Sequence, residues 1–173
     1  MLVTGAPGAG KTSLARPLAK ALGFALLSKD DIKEPLFDAL GGVVGDLAQS
    51  RKIGAASWGV LWSLASTCPH VVLEANFRPS STYERQRLLG LAGEIVEVYC
   101  RCPPAEAARR YTERARTAAR HAAHAAMPVI SEADVRAEYG RPIGVGRLIE
   151  VDTTMEVDVT ALAVAIEESW TNP

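Results

Sequence analysis

The sequence predicts an α/β domain built on a mostly parallel sheet with helices on both faces, and three observations predict it. Five short, mostly apolar runs, Leu2–Thr4, Phe24–Ser28, Val71–Leu73, Ile95–Cys100 and Leu148–Val151, have the length and hydrophobicity of strands in a covered parallel sheet. Segments of helical periodicity alternate with them, the arrangement that βαβ units require. The chain has 173 residues, 48% hydrophobic and 23% charged, enough for one core and short for two, so residues 1–173 are read as a single domain.

Each element follows from its local pattern. Leu2–Thr4 leads through a glycine-rich loop into a helix over Lys11–Leu22, where Leu14, Leu18 and Leu22 recur at i, i+4 and i+8. Pro17 lies past the first turn, removes one backbone hydrogen bond and predicts a local bend. The second strand ends in Lys29-Asp30-Asp31, an acidic helix start favoured by the macrodipole. Over residues 46–66, Trp58, Leu61, Trp62 and Ala65 share one face of a buried or cleft-lining helix. The third strand ends at Glu74, and the fourth stops at Cys102-Pro103-Pro104. Pro104 suits the first turn of a helix carrying Arg109, Arg110, Arg114, Arg116 and Arg120 up to His121. After an irregular stretch with Met127-Pro128, Ser131 N-caps a helix ending at Tyr139-Gly140. The fifth strand and a last helix over about residues 157–170, with Leu162 and Ile166 inward, complete the chain.

Bulk properties narrow the partners. A formal net charge of −1 gives no global attraction to polyanions, so nucleic acid is not an expected partner. Cys68, Cys100 and Cys102 form neither a disulfide framework nor a zinc spacing, which suits a reducing cytoplasm. The N-terminal residues carry no charged leader or long apolar segment, so neither export nor a membrane anchor is expected.

The chemistry concentrates at the ends of the strands. Gly5-Ala6-Pro7-Gly8-Ala9-Gly10-Lys11-Thr12 matches G-x-x-x-x-G-K-[ST] between a strand and a helix, the context in which this loop cradles phosphate. Gly5, Ala6, Gly8, Ala9 and Gly10 wrap the phosphates with backbone N–H groups. Lys11 reaches the β- and γ-phosphates, Thr12 gives its hydroxyl to Mg²⁺, and Ser13 completes the set at the helix start. Asp30 and Asp31 follow the second strand at the same sheet edge, where open α/β sheets bind ligands. Asp30 is the better placed to accept or orient a hydroxyl proton beside a γ-phosphate, whereas Asp31 suits an N-cap or first-turn role, with the acceptor as its alternative contact. Glu74, Asn76 and Arg78 emerge together from the third strand. Glu74 would meet Mg²⁺ through water, Lys11 or a substrate hydroxyl, or else form an ion pair with Lys33 or Arg78. Arg114, Arg116 and Arg120 fall late enough to sit on a lid over residues 114–130 and bring positive charge to a transferring phosphoryl group. His121 and His124 lack a third metal ligand and read as exposed surface residues.

Taken together, the loop at residues 5–12, Ser28-Lys29-Asp30-Asp31-Ile32-Lys33, Val71-Val72-Leu73-Glu74-Ala75-Asn76-Phe77 and the Arg114–His121 segment resemble the P-loop kinases that include chloramphenicol phosphotransferase and the kinase domain of polynucleotide kinase. The resemblance implies an ATP- and Mg²⁺-dependent kinase with a nucleotide-kinase-type P-loop fold and strand order 2-3-1-4-5. It implies Asp30 as general base, Lys33 holding the acceptor, lid arginines on the ATP phosphates, and adenine between the lid helix and the loop near Asp152 and Thr153. Two departures are Glu74 in place of an aspartate and a first strand that starts almost at residue 1; no second domain is expected. The acceptor is expected to be a small hydroxylated molecule, antibiotic-like or nucleoside-like, in a cleft walled by the Asp30 turn, Trp58, Trp62 and the Glu74–Arg78 loop. A polynucleotide or nucleoside 5′-hydroxyl kinase, with Trp58, Trp62, Phe77 and Tyr83 as its aromatic path, and a regulatory ATPase are the competing readings.

Overall fold

The computed structural model describes residues 1–117, 120–125 and 129–171. Met127 and Pro128, and part of the expected lid, lie outside these residues. Along the chain run β1 (Leu2–Thr4), α1 (Lys11–Leu22), β2 (Ala25–Ser28), α2 (Lys29–Ala39), α3 (Leu47–Ala65), β3 (Val71–Glu74), α4 (Thr82–Leu89), β4 (Val96–Arg101), α5 (Pro104–Ala115), a 3₁₀ turn (Ala122–His124), α6 (Glu132–Tyr139), β5 (Arg147–Asp152) and α7 (Val159–Thr171). The five strands form one parallel sheet in the order β2-β3-β1-β4-β5.

Alternation along β1 splits the core in two. Leu2 faces one layer with Leu61, Trp62, Phe77 and Leu88, whereas Val3 faces the other with Leu14, Leu18 and Ile166. Helices therefore cover both faces, so the central strands β1 and β3 are largely apolar on both sides, whereas β4 carries the buried Glu97 and the edge strand β5 the exposed Glu150. Because all strands run the same way, their last residues, Thr4, Ser28, Glu74, Arg101 and Asp152, share one edge. Both features follow the expectation from sequence.

Glu97, near the start of β4, is a buried carboxylate that ties β1, β4 and the approach to β5 together. It accepts hydrogen bonds from Thr4 Oγ1 (2.8 Å) and from the backbone N–H groups of Ile143 (2.8 Å), Gly144 (2.9 Å) and Val145 (3.4 Å). Four donors around an acceptor-only group satisfy it without a cation. The contact also joins the last residue of β1 to the segment that enters β5.

Some elements differ from expectation. α4 has no counterpart among the predicted helices, because Thr82–Leu89 is polar except where Leu88 turns wholly inward; Ser81 caps it by accepting from Glu84 N. α5 stops at Ala115 instead of continuing to His121, so Arg116 is its C-cap and Arg120 lies beyond it. The N-cap of α2 is Ser28, which places Asp31 inside the first turn. Ser131 does cap α6, in a reciprocal box with Asp134. The cysteines are free, and no helix among the described residues is long and apolar enough to cross a membrane.

Candidate active site

The loop between β1 and α1 curls tightly, with Ala9 N donating to Ala6 O and with Gly5, Gly8 and Gly10 at φ of 134°, 87° and 81°. Gly10 is the N-cap of α1, so the positive end of that helix opens into the loop. Gly8 packs against α5 so closely that a Cβ there would lie 2.1 Å from the carbonyl oxygen of Ala107. The phosphate loop and the base of the lid are thus in backbone contact. Lys11 is buried and donates to the Ala6 carbonyl at 2.7 Å. Burial pulls its amine below the ordinary lysine range, and the negative charges of Glu74 and Asp30 oppose that pull.

A cavity of about 340 Å³ opens beside this loop. Thr12 lines it from α1; Ser28, Lys29, Asp30, Asp31, Lys33 and Glu34 from the β2–α2 turn; Asn76 from the loop after β3; and Tyr111, Arg114, Arg120, His121 and His124 from α5 and beyond. Asp31 forms a bidentate pair with Arg16 at 2.7 and 2.9 Å, whereas Asp30 carries no ion pair among the described residues. Lys11, Lys29, Lys33 and His124 all feel the Asp30 charge. Asp30 is therefore the carboxylate left available at the centre of a cationic ring.

The arginines separate by position. Arg114 and Arg120 both lie over the Tyr111 ring, 6.0 and 5.0 Å from its centroid, and Arg120 also donates to the Tyr111 hydroxyl at 3.0 Å. Arg116 is not brought to this cavity: as the exposed C-cap of α5 it borders a separate groove with Arg109 and Ile130, because the helix ends one residue before it.

Lys33 lines the cavity, yet its buried amine is taken up by Ser50 Oγ and the Ala123 carbonyl, both at 2.9 Å. Ser50 Oγ donates to the same carbonyl at 2.9 Å. These bonds fasten the 3₁₀ turn to α2 and α3. The two histidines expected at the surface belong to the same fastening. His121 Nε2 lies 3.2 Å from Asp38 and His124 Nε2 lies 3.0 Å from Glu34, with the His124 side chain 14% exposed. Burial holds the His124 imidazole below its ordinary value, against the opposing influence of Asp30 and Glu34.

Trp58 and Trp62 are core residues and not cleft walls. They stack at 5.2 Å and pack on Phe77, which leaves Trp62 almost wholly buried. The aromatic path that a polynucleotide acceptor would use does not form, since three of its four members are packed on one another and only Tyr83 is freely exposed. Glu74 is buried and accepts from Ser28 Oγ at 2.7 Å. It pairs with neither Lys33 nor Arg78, and the latter turns to Glu138 at 3.4 Å, outside the cavity.

A second cavity, about 360 Å³, lies between the start of α1 and the loop after β5, with Gly10, Ser13, Arg110, Thr153, Met155 and Val157 on its walls. Arg110 is fixed there by Glu106 (2.7 Å) and the Thr153 carbonyl (3.0 Å). Sequence reasoning placed Arg110 on a solvated helix face; its i−4 spacing from Glu106 was the available signal. Thr153 fronts this space, while Asp152 is turned to Arg101 and to Thr154. A larger cavity of about 440 Å³ between α5, α6 and the ends of β4 and β5 contains none of Thr12, Asp30 or the lid arginines.

Comparison with known proteins agrees with this geometry. A family model described as an AAA domain matches residues 1–132. No curated protein sequence matches the chain. Among solved structures, a candidate kinase from Chloroflexus aurantiacus superposes with a TM-score of 0.79 at 28% identity, over 96% of this chain and 95% of that one. A shikimate kinase from Acinetobacter baumannii in complex with shikimate gives 0.57 at 18% identity, over 98% and 91% of the two chains. A gluconokinase from Sinorhizobium meliloti gives 0.59 at 15% identity, over 99% and 96%. These last two share the fold. The chain belongs to the AAA-domain family and has the architecture of the P-loop kinases.

Proposed function

We propose that the protein is a kinase that moves the γ-phosphate of ATP, with Mg²⁺, to a hydroxyl group of a small polar molecule. The observation that carries this reading is that Asp30, free of ion pairs among the described residues, shares one cavity with Thr12 of the phosphate loop and with Arg114 and Arg120. A regulatory ATPase needs no carboxylate held next to an acceptor space. The kinase neighbours support the same reading.

The residues present fit a magnesium nucleotide. The three glycines at positive φ, the helix N-terminus at Gly10 and a buried lysine hydrogen-bonded to a loop carbonyl form a site suited to phosphate. Thr12 would hold Mg²⁺, which when bound neutralises charge between the β- and γ-phosphates. Lys11 would leave the Ala6 carbonyl for phosphate oxygen. Asp30 would orient the acceptor hydroxyl and accept its proton, while Arg114 and Arg120 would stabilise charge on the transferring group. Arg110 and Thr153 would border the adenine.

The lining around Asp30 is polar, with no aliphatic side chain among its described residues. This favours a hydrophilic acceptor over an apolar antibiotic, and with both indoles packed in the core it lacks the stacking surface that suits a nucleoside. The test is acceptor-dependent ADP release across hydroxylated metabolites, with mass spectrometry for an added phosphate. Asp30→Asn should lower kcat about 10²–10⁴-fold with ATP affinity nearly intact. Lys11→Ala should leave less than a tenth of the activity. ADP release indifferent to every acceptor would favour the ATPase.

A further inference from the structure

Glu34 and His124 are two of the groups in the acceptor cavity that the phosphate-transfer chemistry does not use. Glu34 follows Asp30 by four residues on α2, so their side chains leave the same helix face about 5–6 Å apart. His124 comes from the far side of the cavity, and its Nε2 lies 3.0 Å from Glu34 Oε1. That contact leaves one ring nitrogen and one carboxylate oxygen without a partner among the described residues.

His124 is also held firmly. Its neighbour Ala123 is wholly buried, and the Ala123 carbonyl accepts from both Lys33 Nζ and Ser50 Oγ. On the other side, the Ala123 N–H donates to His121 Nδ1 at 3.1 Å. A recognition pair needs this kind of support, because a loosely held side chain loses affinity to ordering entropy. A surface latch would not need to line the cavity beside Asp30.

Resting on the kinase reading above, we propose that Glu34 and His124 recognise the acceptor, and that they select a polyol bearing a second hydroxyl about 5–6 Å from the one that Asp30 orients. That distance corresponds to hydroxyls on opposite sides of a six-membered ring or several carbons apart on an open chain. With Nε2–H donated to Glu34, the second carboxylate oxygen and Nδ1 of the neutral ring both accept, which suits the neighbouring hydroxyls of a polyol, each donating its proton. Among the described residues no aliphatic side chain lines the cavity, and its aromatic ring, Tyr111, is engaged by two arginines.

Calorimetry on the protein saturated with Mg²⁺ and a non-hydrolysable ATP analogue tests this without turnover. The probes are glycerol, ribitol, glucitol and myo-inositol, against adenosine, cytidine and chloramphenicol. At least one of the longer or cyclic polyols should bind more tightly than glycerol, which is too short to span the pair and Asp30. Glu34→Gln and His124→Gln should each weaken that polyol at least tenfold while the analogue's own affinity moves less than about twofold. In steady state the loss should fall in KM far more than in kcat, a split that a merely structural role would not produce. Unchanged polyol affinity in both variants overturns the proposal, as does binding of a nucleoside or chloramphenicol with no polyol bound. A polyol that binds through Glu34 and His124 but is never phosphorylated would uphold this inference and sink the kinase reading.

Discussion

The contact between Gly8 and α5 can be tested by adding one carbon. Gly8→Ala would place a Cβ 2.1 Å from the Ala107 carbonyl oxygen and 3.0 Å from the Tyr111 nitrogen, and both are backbone atoms that no rotamer change can move. Close to 1 Å of relief would have to come from shifting the loop or α5. Forcing extra volume into a packed region costs about 1–3 kcal/mol. The left-handed conformation at φ 87° adds about 1–2 kcal/mol for a residue with a Cβ. Gly10→Ala is the control: it carries the same left-handed cost at φ 81°, but its Cβ meets only the Thr153 side chain at 3.6 Å. The expected losses are therefore about 2–5 kcal/mol for Gly8→Ala and about 1–2 kcal/mol for Gly10→Ala. Urea denaturation of nucleotide-free protein reads the difference. With a slope near 2 kcal/mol per molar, the Gly8 variant should lose about 1 M or more in midpoint. If Gly10→Ala is as destabilising as Gly8→Ala, the steric link between phosphate loop and lid base is wrong.

The remaining expectations concern charge. Glu97→Ala would orphan three backbone N–H groups and the Thr4 hydroxyl; at about 1–3 kcal/mol per unsatisfied buried donor the loss should reach about 4 kcal/mol, and a loss below about 1 kcal/mol in the same urea assay would contradict the clamp. Arg114→Ala and Arg120→Ala should each lower kcat at least about tenfold, a barrier increase of about 1.4 kcal/mol, while Arg116→Ala stays within about twofold; the opposite ranking would move the lid chemistry to the far side of α5. His124 binds its proton less readily in the folded chain than its ordinary value of 6.5 implies, so the unfolded state takes up protons first as pH falls. Stability should therefore decline below about pH 6.5, and His124→Gln should remove part of that slope; an unaltered slope would show that the ring is not held neutral by burial.

How far the sequence carries depends on how local each cause is. The strands were legible because a covered strand is mostly apolar, with Glu97 and Glu150 the interruptions in β4 and β5, and the phosphate loop was legible because φ values above 80° at Gly8 and Gly10 demand glycine. α4 was not, since one inward residue, Leu88, makes no periodicity. The indoles at Trp58 and Trp62 show that i, i+4 spacing identifies a shared face without saying what covers it; here Phe77 does. The preference for Asp30 over Asp31 rested on position along the chain, and the Arg16 pair that occupies Asp31 could not be read from it. The hold on the Lys33 amine and the burial of His124 were not legible for one reason: partners of both lie 90 residues away along the chain. Arg116 falls outside the Asp30 cavity because α5 ends one residue before it, a boundary that a run of arginines and alanines does not mark.

The two guanidiniums gathered over Tyr111 have a kinetic meaning. On a chain whose formal charge is −1, the net charge draws no polyphosphate in from a distance, and two like charges would otherwise repel each other. The aromatic ring keeps them together, so their attraction is concentrated beside the cavity and is felt at the end of the approach. Raising ionic strength from 0.01 to 0.15 M shortens the screening length from about 30 to about 8 Å, still longer than a contact between a guanidinium and a phosphate. Nucleotide capture should thus depend only weakly on salt, and selectivity for ATP over other anions should come from fit within the loop and not from steering at a distance.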